Sequence, residues 1–251
     1  MNKKTALLML SLAATIATTS PVFGAGGGNL QQAGVNVRDV AAIQRGAKWF
    51  VNYCFSCHSA SYMRYNRLAE DLGLDEDLVQ RNLVFAYVKM GETMDIAMRP
   101  GDSELWFGKT PPDLSLISRS RGNDWLFTYL KTFYQDETGS WNNLVLPNAS
   151  MPHVLWQLQG IQKPAGTELN KEHGEDDGEG HGAAQLTLAV PGLQTPEQYE
   201  GTVRDLVTFL DYLSEPAKLK RKNLGIWVML FLLLFTGVAY ALKVEYWRDI
   251  H

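Results

Sequence analysis

Residues Leu224 to Leu242 read LGIWVMLFLLLFTGVAYAL, 19 positions without a charged side chain. A helix of that length spans the hydrocarbon core of a bilayer. Charged residues flank it on both sides: Lys218, Lys220, Arg221 and Lys222 before, and Lys243, Glu245 and Arg248 after. Trp227 near one end and Tyr240, Tyr246 and Trp247 near the other suit the membrane–water interface. A buried core helix would not carry such flanks, so 224–242 is expected to anchor everything before it to a lipid bilayer.

The opposite end carries a different apolar run. Lys3 and Lys4 precede Thr5 to Ala17, and Val22 and Gly24 stand three and one positions before a cut ahead of Ala25. That pattern reads as a signal peptide over 1–24. An exported head over 25–217, one span and a cytoplasmic tail over 243–251 follow. Basic residues crowd the head side of the span, against the positive-inside rule; long domains cross largely regardless of charge. The basic flank is therefore expected to meet anionic headgroups or a partner subunit. Ala25 to Ala217 holds 15 Lys and Arg against 25 Asp and Glu, a net charge of −10. Such a head repels nucleic acid and steers cationic partners.

Within the head, Gly24 to Gly34 reads as a loose leader. Val40, Ile43, Ala47, Phe50 and Val51 recur near helical spacing, so Val37 to Tyr53 is predicted to form an amphipathic helix running into Cys54. Asp75 to Lys89 is a second candidate. A loop-rich stretch is punctuated by Pro100-Gly101 and Pro111-Pro112. Asn123-Asp124 is expected to cap a third helix reaching about Tyr134. Asn142 to Pro152 has loop chemistry. Residues 168–182, acidic and Gly-rich, read as a flexible insertion. Thr195-Pro196-Glu197 opens a last helix that ends before Pro216. No strand pattern is strong, so the head is predicted to be mainly α with long loops.

The only cysteines are Cys54 and Cys57, and His58 follows at once. C-x-x-C-H is the attachment signature of c-type haem. One turn offers two thiols to the two vinyl groups on one porphyrin edge, and the next residue aims an imidazole at the iron. A dithiol switch would not require His58. A zinc site needs more ligands than the scattered His153, His173, His181 and His251 provide. For a second axial ligand the methionines Met63, Met90, Met94, Met98 and Met151 compete. Met63 lies close to His58 in sequence, and Met90, Met94 and Met98 could fill core gaps. Met151 stands in a stiff segment before Pro152; His153 is a weaker alternative. Arg119 and Arg121, with Arg67 behind them, are candidates for the haem propionates. The carbonyl of Pro111 or Pro112 is suited to accept the Nδ1 proton of His58. Trp106, Trp125, Trp141 and Trp156 wall the haem or fill the core.

Beyond the haem signature, the chain resembles the cytochrome c1 family. The resemblance runs through PPDLS at 111–115, WLFTYLKTFY at 125–134, NASMPHVLW at 148–156, RDLVTFLDYLSEP at 204–216 and LKVEYW at 242–247. It implies a cytochrome c-like head with its first and last helices packed near one haem c. Cys54 and Cys57 would bind that haem covalently, and His58 and Met151 would ligate its iron. It also implies the chemistry of a quinol–cytochrome c reductase, the bc1 complex, in which the chain is a redox subunit and no enzyme on its own. A cytochrome b subunit oxidises quinol, a Rieske iron–sulfur protein delivers single electrons, and a cytochrome c accepts them, in a complex that is dimeric. The expected location is the bacterial inner membrane, with the head in the periplasm. A membrane-anchored monohaem cytochrome of another respiratory oxidase or reductase is the alternative. The acidic stretch 168–182 has no family role.

Overall fold

A computed structural model describes residues 30–85, 87–165 and 185–248. The signal peptide expected over 1–24 and the insertion expected at 168–182 lie outside the described residues, as do the last three positions of the chain. Chain order is α1 (Val40–Tyr53), β1 (Ala60–Arg64), α2 (Tyr65–Leu72), α3 (Glu76–Asn82), β2 (Thr93–Met94), α4 (Pro100–Phe107), α5 (Ile117–Arg121) and α6 (Asn123–Lys131). Then come β3 (Phe133–Gln135), β4 (Trp141–Asn143), α7 (Trp156–Gln159), β5 (Gly160–Pro164), β6 (Leu186–Pro191), α8 (Pro196–Ser214) and α9 (Lys218–Tyr246). The head is mainly α, as predicted. Three antiparallel two-stranded ribbons, β1–β2, β3–β4 and β5–β6, were not expected; β2, β3 and β4 are too short to show an alternating pattern, and β6 is exposed along nearly its whole length.

The frame is the crossing of α1 and α8. Asp39 accepts from the Ala42 N–H at 3.0 Å and starts α1. Ala42, Ile43, Gly46, Ala47, Phe50 and Val51 then form one buried stripe. Thr195 and Gln198 make a reciprocal capping box on α8, with Pro196 in its first turn, the arrangement that satisfies orphan N–H groups. Gly46 sits where the two backbones meet. A Cβ there would overlap the Asp205 carbonyl and lie 2.7 Å from Phe209 Cβ. Phe50 packs on Phe209 at 5.3 Å between ring centroids. Arg45 clamps Asp205 beside the crossing with two hydrogen bonds of 2.6 and 2.8 Å.

Several boundaries differ from the sequence reading. The second predicted helix stops at Asn82 rather than Lys89, with the Asn82 amide donating back to the Leu78 carbonyl at 2.8 Å. The third stops at Lys131, because Phe133–Gln135 pairs with Trp141–Asn143. Its expected cap is absent: Asn123 receives the Ser118 hydroxyl, and Asp124 accepts the Ala33 N–H at 2.8 Å. The Pro100-Gly101 stretch is the start of α4, where proline costs no hydrogen bond. The described part of the leader is not loose. Ala33 is fully buried and its carbonyl accepts from Arg204 at 3.0 Å.

Helix α9 rises out of the head, and its apolar stretch Leu224–Tyr246 buries nothing against the rest of the chain. At 1.5 Å per residue that stretch is about 35 Å long, enough to cross a bilayer. Three of the four flanking cations turn back to the head. Lys218 pairs with Asp211 at 2.7 Å, Lys220 lies 3.7 Å from Asp71, and Arg221 pairs with Glu215. The acids, Asp71 on α2, Asp211 on α8 and Glu215 just after it, are partly desolvated, which strengthens the pairing.

Candidate haem-binding site

The end of α1 delivers the cysteine pair. Cys54 closes the helix with its N–H on the Phe50 carbonyl at 2.8 Å. The N–H groups of Cys57 and His58 then both return to the Cys54 carbonyl, at 3.1 and 2.9 Å. The segment is thus one further tight turn, with the two thiols and the imidazole projecting from it in succession. Both thiols are free. Cys54 is buried, and burial, with Cys57 adding to it, pushes its thiol pKa up to about 12. A thiol so reluctant to ionise is poorly suited to dithiol exchange.

His58 is held from behind. Its Nδ1 lies 2.7 Å from the Pro112 carbonyl, which can only accept, so Nδ1 carries the proton. Nε2 makes no hydrogen bond among the described residues and is left as a lone-pair donor. Of the two carbonyls weighed from sequence, Pro112 is the one in place. Burial lowers the His58 pKa, against an upward pull from the Pro112 carbonyl and from Asp113. A neutral, singly tethered imidazole is what an iron ligand requires.

The methionines divide. Met63 and Met94 are buried in the core. Met90 and Met151 are partly exposed and only lean on it. Met151 ends an irregular loop whose start is pinned by side chains. Asn143 Oδ1 accepts the N–H groups of Val145 and Leu146 at 2.8 and 3.2 Å, and Asn142 Oδ1 accepts that of Asn148 at 2.8 Å. Asn148 takes a positive φ of 58°, a conformation asparagine tolerates. Beyond Met151 the ring of His153 stacks on Phe133 at 4.9 Å and meets the edge of Trp141 at 5.3 Å. Burial lowers its pKa to about 4, the Gln159 amide pulling the other way. The ring is packed between Phe133 and Trp141, and its buried Nε2 has no hydrogen-bond partner among the described residues.

The other candidates are scattered. Arg119 and Arg121 end α5 and both are exposed. Arg121 lies over the Trp125 ring at 5.1 Å, and Trp125 in turn stacks on Tyr129 at 4.9 Å. Arg67 is paired with Asp71 at 2.5 Å and is not free for a propionate. Trp106 and Trp156 are exposed, so neither fills the core. Sequence reasoning passed over Asp113, Ser61 and Ser115, which bind one another directly behind His58. The signal was present in the PPDLS segment, but only the fold shows its partner strand. Partial burial raises the Asp113 pKa, but hydrogen bonds from Ser115 and Ser61 outweigh it and hold the carboxyl below its ordinary value.

A helix ending in a tight C-x-x-C-H turn, with its imidazole tethered through Nδ1, belongs to the class of c-type cytochromes. Comparison with known proteins narrows the class. The model of the family described as Cytochrome C1 family matches residues 32–173 and 193–250, and the chain belongs to that family. It is 44% identical over 246 residues to a cytochrome c1 of Allochromatium vinosum, covering 97% of this chain and 99% of that one. It is 45% identical over 226 residues to a Nitrosomonas europaea protein called ammonia monooxygenase gamma subunit, 88% of this chain and 89% of the relative. A Bradyrhizobium diazoefficiens protein called cytochrome b/c1 is 30% identical over 241 residues; the match covers 85% of this chain and 34% of that longer protein. Family membership carries electron transfer in a bc1 complex, a covalently bound haem c and attachment to a membrane.

Proposed function

We propose that this chain carries single electrons from a Rieske iron–sulfur protein to a cytochrome c through one haem c, joined to Cys54 and Cys57 and ligated by His58 and Met151. The observation that carries the reading is the 2.7 Å contact between His58 Nδ1 and the Pro112 carbonyl, which leaves Nε2 unprotonated in the turn that holds both thiols. The bound haem supplies a reversible one-electron couple at its iron. The chain's own residues do the remainder. The two thiols fix the position of the group, Pro112 fixes the imidazole tautomer, and a thioether from Met151 favours the ferrous state. Arg121 or Arg119 would pair with a propionate. Export of the head by residues 1–24 places this chemistry in the periplasm, with the tail in the cytoplasm.

A cytochrome b subunit is the partner for α9, in keeping with the name of the Bradyrhizobium relative, cytochrome b/c1. The parent complex is dimeric. The head, at a net charge of −10, raises the encounter rate with a basic acceptor.

The test is a pyridine haemochrome and redox spectrum of the purified membrane complex, with Met151→Ala beside the parent. We expect one covalent haem per chain and loss of the low-spin, high-potential spectrum in the variant. An unaltered variant spectrum would move the sixth ligand elsewhere, and absence of haem would end the reading. Cytochrome b and a Rieske protein should co-purify. Recovery with oxygenase subunits instead, as the name of the Nitrosomonas relative suggests for that protein, would assign the chain to another complex.

A further inference from the structure

The carbonyl that orients His58 stands in an irregular stretch between α4 and α5. Proline has no N–H with which to anchor itself, so neighbouring residues must fix where that carbonyl points. The three residues after Pro112 do so by binding the segment that follows His58. Asp113 Oδ2 accepts the Ser61 N–H at 2.9 Å and lies 2.9 Å from the Ser61 hydroxyl, whose one proton it shares with Asp95. Asp113 Oδ1 accepts the Ser115 N–H at 2.8 Å. The Leu114 N–H donates to the Ser59 carbonyl at 2.8 Å. Ser115, nearly inaccessible, accepts the Tyr62 N–H on its hydroxyl at 3.1 Å.

The same segment is braced on its other side. The Ser61 hydroxyl also lies 2.5 Å from Asp95 Oδ1, and the Ile96 N–H donates to the Ser59 hydroxyl at 3.1 Å. Every bond just named falls within four residues of His58 or three of Pro112. These bonds lie in both segments that meet at the one contact that sets the imidazole. They also fix the Asp113 carboxylate one residue along the chain from the carbonyl that meets His58 Nδ1.

We propose that Asp113 is a positioning residue for electron transfer: it locks the Pro112 carbonyl onto His58 Nδ1 and supplies a fixed negative charge that holds the haem potential down. The proposal rests on His58 as the iron ligand. Two effects act in one direction. A well-made bond to Nδ1 makes the imidazole more basic, and a nearby anion favours the ferric over the ferrous iron. Loss of either raises the potential.

The experiment uses the full-length protein in its membrane complex. A pyridine haemochrome comes first, because a chain without haem overturns the site reading and not this inference. Spectroelectrochemical titration then compares Asp113→Asn, Asp113→Ala and Ser115→Ala with the parent, and with Glu137→Gln as an exposed carboxylate of the β3–β4 turn, outside the brace. Asp113→Asn should shift the one-electron equilibrium at least about threefold toward reduction, about 28 mV at 59 mV per tenfold. Asp113→Ala should shift it further. Ser115→Ala should give a smaller rise. If Asp113→Ala loads no haem, Asp113→Asn and Ser115→Ala carry the test. An unchanged or lowered potential in haem-loaded Asp113→Asn, or an equal shift in Glu137→Gln, overturns the proposal.

Discussion

His58 and Met151, the two proposed axial ligands, are held by different means. His58 follows a helix whose backbone touches that of α8 at Gly46, and its ring is tethered to a carbonyl that is itself braced. Met151 ends a loop that regular structure does not hold; side-chain amides of Asn142 and Asn143 fold its start, and a stacked histidine ring closes its end. One ligand is placed by main-chain geometry and close packing, the other by a few replaceable side chains. The histidine side should therefore govern whether the head folds, and the methionine side whether the iron is six-coordinate.

Gly46→Val is the hardest blow to that comparison. The added carbons overlap the Asp205 carbonyl, and α1 and α8 must separate, at about 3 kcal/mol or more. Urea unfolding should show it; a loss under about 1 kcal/mol would mean the crossing is more plastic than the packing implies.

Asn143→Ala tests the other side. Asn143 is buried, with its amide on the Tyr129 carbonyl at 2.7 Å and its oxygen on two loop N–H groups. Leaving these unpaired should cost about 2 kcal/mol. The sharper readout is the methionine–iron charge-transfer band, which should weaken while histidine ligation persists. Equal loss of both would erase the contrast between the two sides.

The smallest effect belongs to Glu200, which ties α8 to α6 through Lys131 at 2.8 Å and to its own helix through Arg204 at 2.6 Å. Hydrogen bonds from Lys131 and Arg204 hold the Glu200 carboxyl below its ordinary value of 4.5. A depressed folded-state pKa contributes stability that is present above 4.5 and lost as pH falls through the lower folded value. With Glu200 and Arg204 both about two-fifths exposed, the contribution is a few tenths of a kcal/mol. Glu200→Gln should remove it at pH 7 and flatten the acid limb of the stability profile slightly. A drop above about 1 kcal/mol would show that α6, and with it the methionine side, depends on this pair.

Much of the architecture was legible because it rests on short-range rules. Apolar periodicity and caps marked α1 and α8, and uncharged length marked α9. The turn Cys54–His58 was legible because thioether chemistry dictates its spacing. Other features escaped because their causes lie far away in sequence. Phe133–Gln135 leaves the helical pattern only because Trp141–Asn143 comes back to pair with it. Lys220 meets Asp71 only because the fold brings α2 beside the start of α9.

From the residues alone came the class of chemistry, the anchoring span and the pair of long helices, since each is written in local spacing, apolar length or reactive side chains. Tertiary structure alone decided which of two proline carbonyls holds His58, which methionines are spent in the core, and that Asp113 binds Ser61 across 52 positions of chain. Those outcomes depend on packing between distant segments, which no local pattern of side chains encodes.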